Sequence, residues 1–272
     1  MKDAVRDAFY DFNAPMEGAV PWLYQDVKGL VSIGVGILCD PIELAMGLPM
    51  FHKDGTHRAS QADIAAEWRR IKALGTGDMS TNPAAKHGHR YALPLTTLRL
   101  TEAGLRSTLE AKLAQMASSL VNRFPAFELW PCDAQLGVLS LSWACGPAFR
   151  FPKLEAALRA RDWETSAVEC FMPEEKTISG LRPRNKANRL LFRNAAFVEA
   201  HRWSYDVLFW PKDLHTSGDT EPPRSAETSR VEVPEVRPDP IEAVKINDFA
   251  IVHPPLYPLD PLEDEPPDDD AA

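Results

Sequence analysis

EGAVPWLYQDVKGLVSIGVG, residues 17–36, is the stretch on which the reading of the fold turns. Two carboxylates, Glu17 and Asp26, stand nine positions apart, a hydroxyl follows at Ser32, and glycines punctuate an otherwise apolar segment. Gly18 can end a short helical turn carrying Glu17, because glycine tolerates the backbone conformation that stops a helix. PWLY into Gln25, Asp26, Val27, Lys28 and Gly29 reads as strand, turn and the start of a return, and LVSIGVG supplies the returning strand. Asp26 then sits at a hairpin turn, with Ser32 on the strand folding back toward the helix of Glu17. Three polar groups are predicted to meet at one cleft wall.

Beyond residue 40 the body reads as mostly helical. Ser60 is a cap for a short helix over QADIAAEWRRIKALG, while GTGDMSTNPAAKHGHR reads as a long irregular loop. Thr101 caps a helix with Leu105, Leu109, Leu113, Met116 and Leu120 at intervals of three and four, so one face packs on a core. DAQLGVLSLSWACG, from Asp133 to Gly146, is apolar nearly all round, as in a buried central helix. One helix is expected around PKLEAALRARDWETSAVECF, with Pro152 near its start, and another in RPRNKANRLLFRNAAFVEA. The predicted fold class is α+β: a small N-terminal hairpin or sheet lobe plus a larger helical lobe.

Charge divides the 272 residues in two. Residues 215–272 hold 15 acidic and 4 basic residues, leaving 24 acidic and 26 basic in residues 1–214. The same segment holds 11 of the 24 prolines, a composition that buries too little apolar surface to offset the entropy of ordering it. The expected organisation is a folded body over 1–214 and an acidic proline-rich tail over 215–272, largely extended. Within that tail Ile241–Pro261 is richer in apolar groups and is a candidate docking segment. No apolar run approaches the roughly 18 residues of a membrane span, and the first residues lack the pattern of a cleavable signal. The expectation is a chain made in a cytoplasm without membrane insertion. Cys39, Cys132, Cys145 and Cys170 lack metal-ligand spacing and are expected as buried free thiols rather than a disulfide pair.

Cleaving a glycosidic bond needs one carboxylic acid to protonate the leaving oxygen and a second carboxylate to activate water or to attack. A hydroxyl near that water can hold it in line. The spacing E-x8-D-x5-S supplies this inventory, yet on spacing alone solvated charges flanking an ordinary hairpin are the favoured reading.

Glu17-Gly18, Tyr24, Asp26, Gly29, Ser32, Ile33, Gly34 and Gly36 resemble, without a gap, the Glu-Gly, aromatic, Asp, Gly, Thr, Ile-Gly-x-Gly signature of the phage-type lysozymes, the muramidases of tailed bacteriophages. LRLTEAGLRSTLEAKLAQM, DAQLGVLSLSWACG and LRPRNKANRLLF are similar to that family's later helices, while the region from Cys39 to about Leu100 is longer than in its simple members. The resemblance implies Glu17 as general acid, Asp26 as the carboxylate placing water and Ser32 as the hydroxyl holding it, with inversion as the usual course. It implies no metal and no cofactor. Arg184 matches a late arginine near the catalytic glutamate, or is a surface arginine at a helix start. Met16 departs from the acidic residue often found before that glutamate, and an apolar neighbour would desolvate Glu17 and raise its pKa. In wording the chain is similar to lysozyme-like antibacterial effectors of type VI secretion. That implies peptidoglycan strands as substrate, action in a target cell's periplasm, a secretion carrier and a cognate immunity protein. A phage endolysin, and a non-catalytic wall-binding or partner-binding module, are the alternatives.

His52, His57, His87 and His89 read as exposed loop histidines, because no carboxylate or cysteine accompanies them at ligand spacing. Trp22 neighbours the motif and, with Tyr24, is a candidate sugar contact, whereas Trp143, Trp163, Trp203 and Trp210 read as core. The glycines of GLVSIGVG lack the order of a nucleotide loop, and no basic, aromatic-interleaved stretch points to nucleic acid.

Overall fold

Val5, Phe9 and Phe12 recur at helical spacing and turn one face of the first helix, α1 (Asp3–Glu17), into the core. The computed structural model describes residues 1–78, 80–173 and 181–216. The helix is far longer than the short turn expected before Gly18. Pro15 falls in its last turn, where it gives up one i→i−4 hydrogen bond with little helix left to disturb, and Gly18 stops the helix with φ 76°.

Strands β1 (Val20–Gln25), β2 (Val31–Gly34) and β3 (Ile37–Leu38) form an antiparallel sheet in that order. Tyr24 stands opposite Ser32 and Val20 opposite Gly34, with a register shift between them. The predicted hairpin is present, with Asp26 at its turn and a third strand beside it.

A second, two-stranded sheet joins β4 (Met50–His52) to β5 (Leu98–Leu100). Between them α2 (Gln61–Lys72) starts at Ser60, whose hydroxyl and Asp63 form a reciprocal capping box. The stretch expected as an irregular loop contains a helix, α3 (Pro83–Ala92). Asn82 caps it by accepting from the Ala84 N–H at 2.9 Å, and Pro83 takes the first position, where its missing N–H has no helical partner to lose.

The larger lobe follows. Thr101 caps α4 (Glu102–Arg123), and all five stripe residues from Leu105 to Leu120 are buried. In α5 (Cys132–Cys145) every residue from Cys132 to Trp143 is buried, so this is the central helix. The single helix expected after Pro152 is two, α6 (Pro152–Ala160) and α7 (Trp163–Glu169). Arg161 takes a left-handed conformation between them (φ 56°), and Asp162 caps the second by accepting from Thr165 N. Last comes α8 (Leu181–Ala200), which packs chiefly against α5 and α7. Gly137 of α5 meets the Phe192 ring so closely that an added Cβ would lie 3.0 Å from it.

One continuous core runs from Val5 to Ala195 through both sheets and the helices. Residues 203–216 are fastened to it by Asp133, a carboxylate with no exposure. It accepts from Phe209 N (2.9 Å), Trp210 N (3.1 Å) and the Asn194 amide (3.0 Å), and burial pushes its pKa up to about 6. From residue 217 on, the expected tail, Ile241–Pro261 included, lies outside the described residues. None of the four cysteines, all among the described residues, is in a disulfide. Cys39, Cys132 and Cys170 are buried as expected, but Cys145, at the end of α5, is exposed. Among the described residues no helix is long and apolar enough to cross a membrane.

Candidate active site

Glu17 is the last residue of α1, at the negative end of the helix dipole, a position that disfavours a second negative charge. Its side chain is only 4% exposed. Arg184, from α8, is wholly buried and donates from Nη2 to Glu17 Oε1. The same nitrogen donates to Asn13 Oδ1 at 3.0 Å, and Nη1 donates to the Ser140 hydroxyl at 3.1 Å. Arg184 is therefore not the surface arginine its position also allowed. Burial raises the Glu17 pKa, and the charge and hydrogen bond of Arg184 offset only part of the rise. The other oxygen, Oε2, faces Gly36, where an added Cβ would come within 3.5 Å of it.

Asp26 occupies the β1–β2 turn and is 2% exposed. Its Oδ1 accepts from Lys28 N at 2.8 Å and Leu30 N at 2.9 Å, so the turn's own backbone orients the carboxylate. Oδ2 is buried and has no hydrogen-bond partner. An unpartnered carboxylate oxygen in such a place costs free energy unless it meets a donor such as water. Burial raises the Asp26 pKa, with the Leu30 and Lys28 amides pulling against it.

Tyr24 ties the two carboxylates together electrostatically. Burial raises its phenol pKa first, and the fields of Glu17 and Asp26 raise it further. Ser32, its cross-strand partner, is 2% exposed in the middle strand. The register thus sets Ser32 opposite Tyr24, two residues before Asp26, and the charges of both Glu17 and Asp26 act on the Tyr24 phenol.

Trp22 is half-buried. Its indole Nε1 donates to the His89 carbonyl at 2.9 Å, and the Arg99 guanidinium lies 5.0 Å from its ring. His89 is not the exposed loop residue expected. It belongs to α3, half-buried, with its ring edge-on to Tyr24 at 6.1 Å. The backbone at Gly88 (φ 54°) breaks the helix path just before it. Likewise His87 lies on α3, while His52 ends β4 with its ring nitrogen 3.7 Å from Asp63. Among the described residues no group of three or more His, Cys, Asp or Glu side chains is placed to hold a metal ion.

No known protein family, curated protein or solved structure matches this chain. The site therefore has to be read from its own residues. Asn13 and Ser140, which hold Arg184, escaped the sequence reading. Asn13 stands one helical turn before Glu17 on a helix that was not foreseen at that length, and Ser140 lies inside a segment read as apolar all round.

Proposed function

We propose that the chain is a peptidoglycan muramidase of lysozyme-like fold, hydrolysing the β-1,4 bond between N-acetylmuramic acid and N-acetylglucosamine. The observation that carries the reading is the pairing of two unlike buried carboxylates about Tyr24: Glu17 held by Arg184, and Asp26 with one oxygen bound by backbone amides and the other unpartnered. Burial favours the protonated form of Glu17, which a general acid needs. The Glu17 proton passes to the leaving oxygen as the glycosidic bond breaks. Asp26 Oδ2 holds and polarises a water that adds to the anomeric carbon, taking up that water's proton, and the Ser32 hydroxyl steadies it. The expected course is inversion, read as the anomer first released. The ungapped likeness of residues 17–36 to the phage-type lysozyme signature supports the same assignment.

The expected setting is antibacterial delivery into a neighbour's periplasm, with an immunity protein that plugs the cleft. Release of reducing ends from purified cell walls tests the chemistry, since Glu17→Gln should abolish it. Equal lysis by that variant would sink the assignment, and wall binding without any release would favour the non-catalytic module.

A further inference from the structure

We infer that the enlarged region between Cys39 and Leu100 serves the reaction by clamping the Asp26 turn, and that Gln25, Asn82 and Gly77 are positioning residues for that carboxylate. The role in turnover rests on the muramidase reading, while the clamp itself rests on contacts in the structure. A two-stranded pair is marginally stable without further support, and Asp26 sits at the turn end of β1–β2, beyond the Ser32 and Ile33 positions that β3 pairs with. Three separate holds reach that end from outside the first sheet.

The strand before the turn is gripped first. Gln25, with no exposed surface, donates from its amide to the carbonyls of Lys72 at 3.1 Å and Gly75 at 2.9 Å, and accepts from Asn82 at 2.8 Å. Asn82 also donates to Thr76 O at 2.6 Å while capping α3, so one buried amide pair fastens the loop after α2 and the start of α3 to the residue beside Asp26. The turn itself is gripped next, backbone on backbone. A Cβ on Gly77 would stand 2.4 Å from the carbonyl carbon of Lys28, and one on Gly29 would stand 2.7 Å from Gly77 N. No side chain fits at either position. The returning strand is gripped last, because Lys72 Nζ donates to Gly29 O at 3.0 Å and to Asp40 at 2.5 Å, and Asp40 accepts from Val31 N at 3.2 Å.

Each hold bears on a residue within five positions of Asp26, and none touches its carboxylate. The clamp therefore acts through the turn whose Lys28 and Leu30 amides orient Oδ1 and so aim Oδ2. Misplacing a reacting group by about 1 Å can cost on the order of 100-fold in rate, which is reason enough to brace the turn.

The test uses the full chain carrying Gly77→Ala or Asn82→Ala, with Gly47→Ala as control because nothing stands within 4 Å of an added Cβ there. Amide hydrogen exchange needs no activity: both clamp variants should exchange Lys28 and Leu30 amides at least about tenfold faster, with α5 amides unchanged. Turnover on saturating walls should fall about 100-fold with KM within twofold, and Gly47→Ala should match wild type in both. Unchanged exchange at Lys28 and Leu30 overturns the clamp. Faster exchange with wild-type turnover overturns its role in catalysis. A wild-type chain that releases no reducing ends overturns that role together with the muramidase reading, whereas the exchange result still decides the clamp.

Discussion

The buried guanidinium of Arg184 binds one oxygen of Glu17 across 167 residues of chain, so the last helix controls the charge at the end of the first. Arg184 stabilises the ionised carboxylate and therefore holds its pKa down. A general acid works protonated, and its activity falls as pH rises through that pKa. Arg184→Gln should shift the falling limb of the pH–rate profile to higher pH. Losing one partner of a buried pair should also cost about 3–5 kcal/mol of stability, read by thermal or urea melts at a pH where Glu17 is ionised.

Asp26→Asn separates the fold of the turn from its chemistry. The amide oxygen can still accept from Lys28 and Leu30, so the melting temperature should change little. The charge proposed to polarise water is lost, and release of reducing ends should fall by about 100- to 10,000-fold. A variant of near wild-type activity would remove Asp26 from the reaction.

Ser32 is judged by its hydroxyl. Ser32→Ala should lower turnover about tenfold, the effect of losing one hydrogen bond of roughly 1–1.5 kcal/mol. Ser32→Thr keeps the oxygen and should retain most activity, provided that melts show the added methyl accommodated between Tyr24 and Leu38, its neighbours in the sheet.

Asp133 makes stability depend on pH. Its pKa rises from the ordinary 3.8 to about 6 on folding, so between those values the folded chain binds more proton than the unfolded one. Stability from this group is present below about pH 4 and is lost as pH rises to about 6, by about 3 kcal/mol. Urea melts across that range should show a shallower slope in Asp133→Asn than in the wild type, the remainder belonging to Glu17 and Asp26, whose pKa values are also raised by burial.

Gly137→Ala sets two effects against each other. Alanine favours a helix by about 1 kcal/mol over glycine, but the new methyl would press on a Phe192 ring that is itself fully buried. Overpacking of this kind costs about 1–3 kcal/mol. The net should be destabilising by up to about 2 kcal/mol in a urea melt, with activity per folded molecule unchanged.

What could be read in advance was local. Ser60 and Thr101 announce helix starts through side-chain capping, Gly146 marks the end of α5, and QDVKG between apolar runs marks the turn. The length of α1 rests on the Val5, Phe9 and Phe12 stripe upstream of the quoted stretch, which Gly18 alone does not reveal. α3 reads as loop in the sequence because Asn82-Pro83, a cap followed by a favoured first residue, also spells a turn. The break between α6 and α7 depends on one left-handed residue, Arg161, in a run whose helical pattern continues. In the candidate site, Glu17, Asp26 and Ser32 are named by the resemblance, which their spacing alone would not have supplied. Asn13, Ser140 and Asn82 could not, because each does its work against a partner far along the chain.

Trp143 donates from its indole to the Val35 carbonyl at 3.1 Å, pinning the β2–β3 bend to the central helix. That bond makes the bend a fulcrum and the hairpin a lever. Glu17 faces Gly36 beside the pivot, while Asp26 lies at the turn end of the β1–β2 pair. A tilt about the bend moves Asp26 more than Glu17, and the Gln25, Gly77 and Lys72 contacts at the turn end are what oppose it.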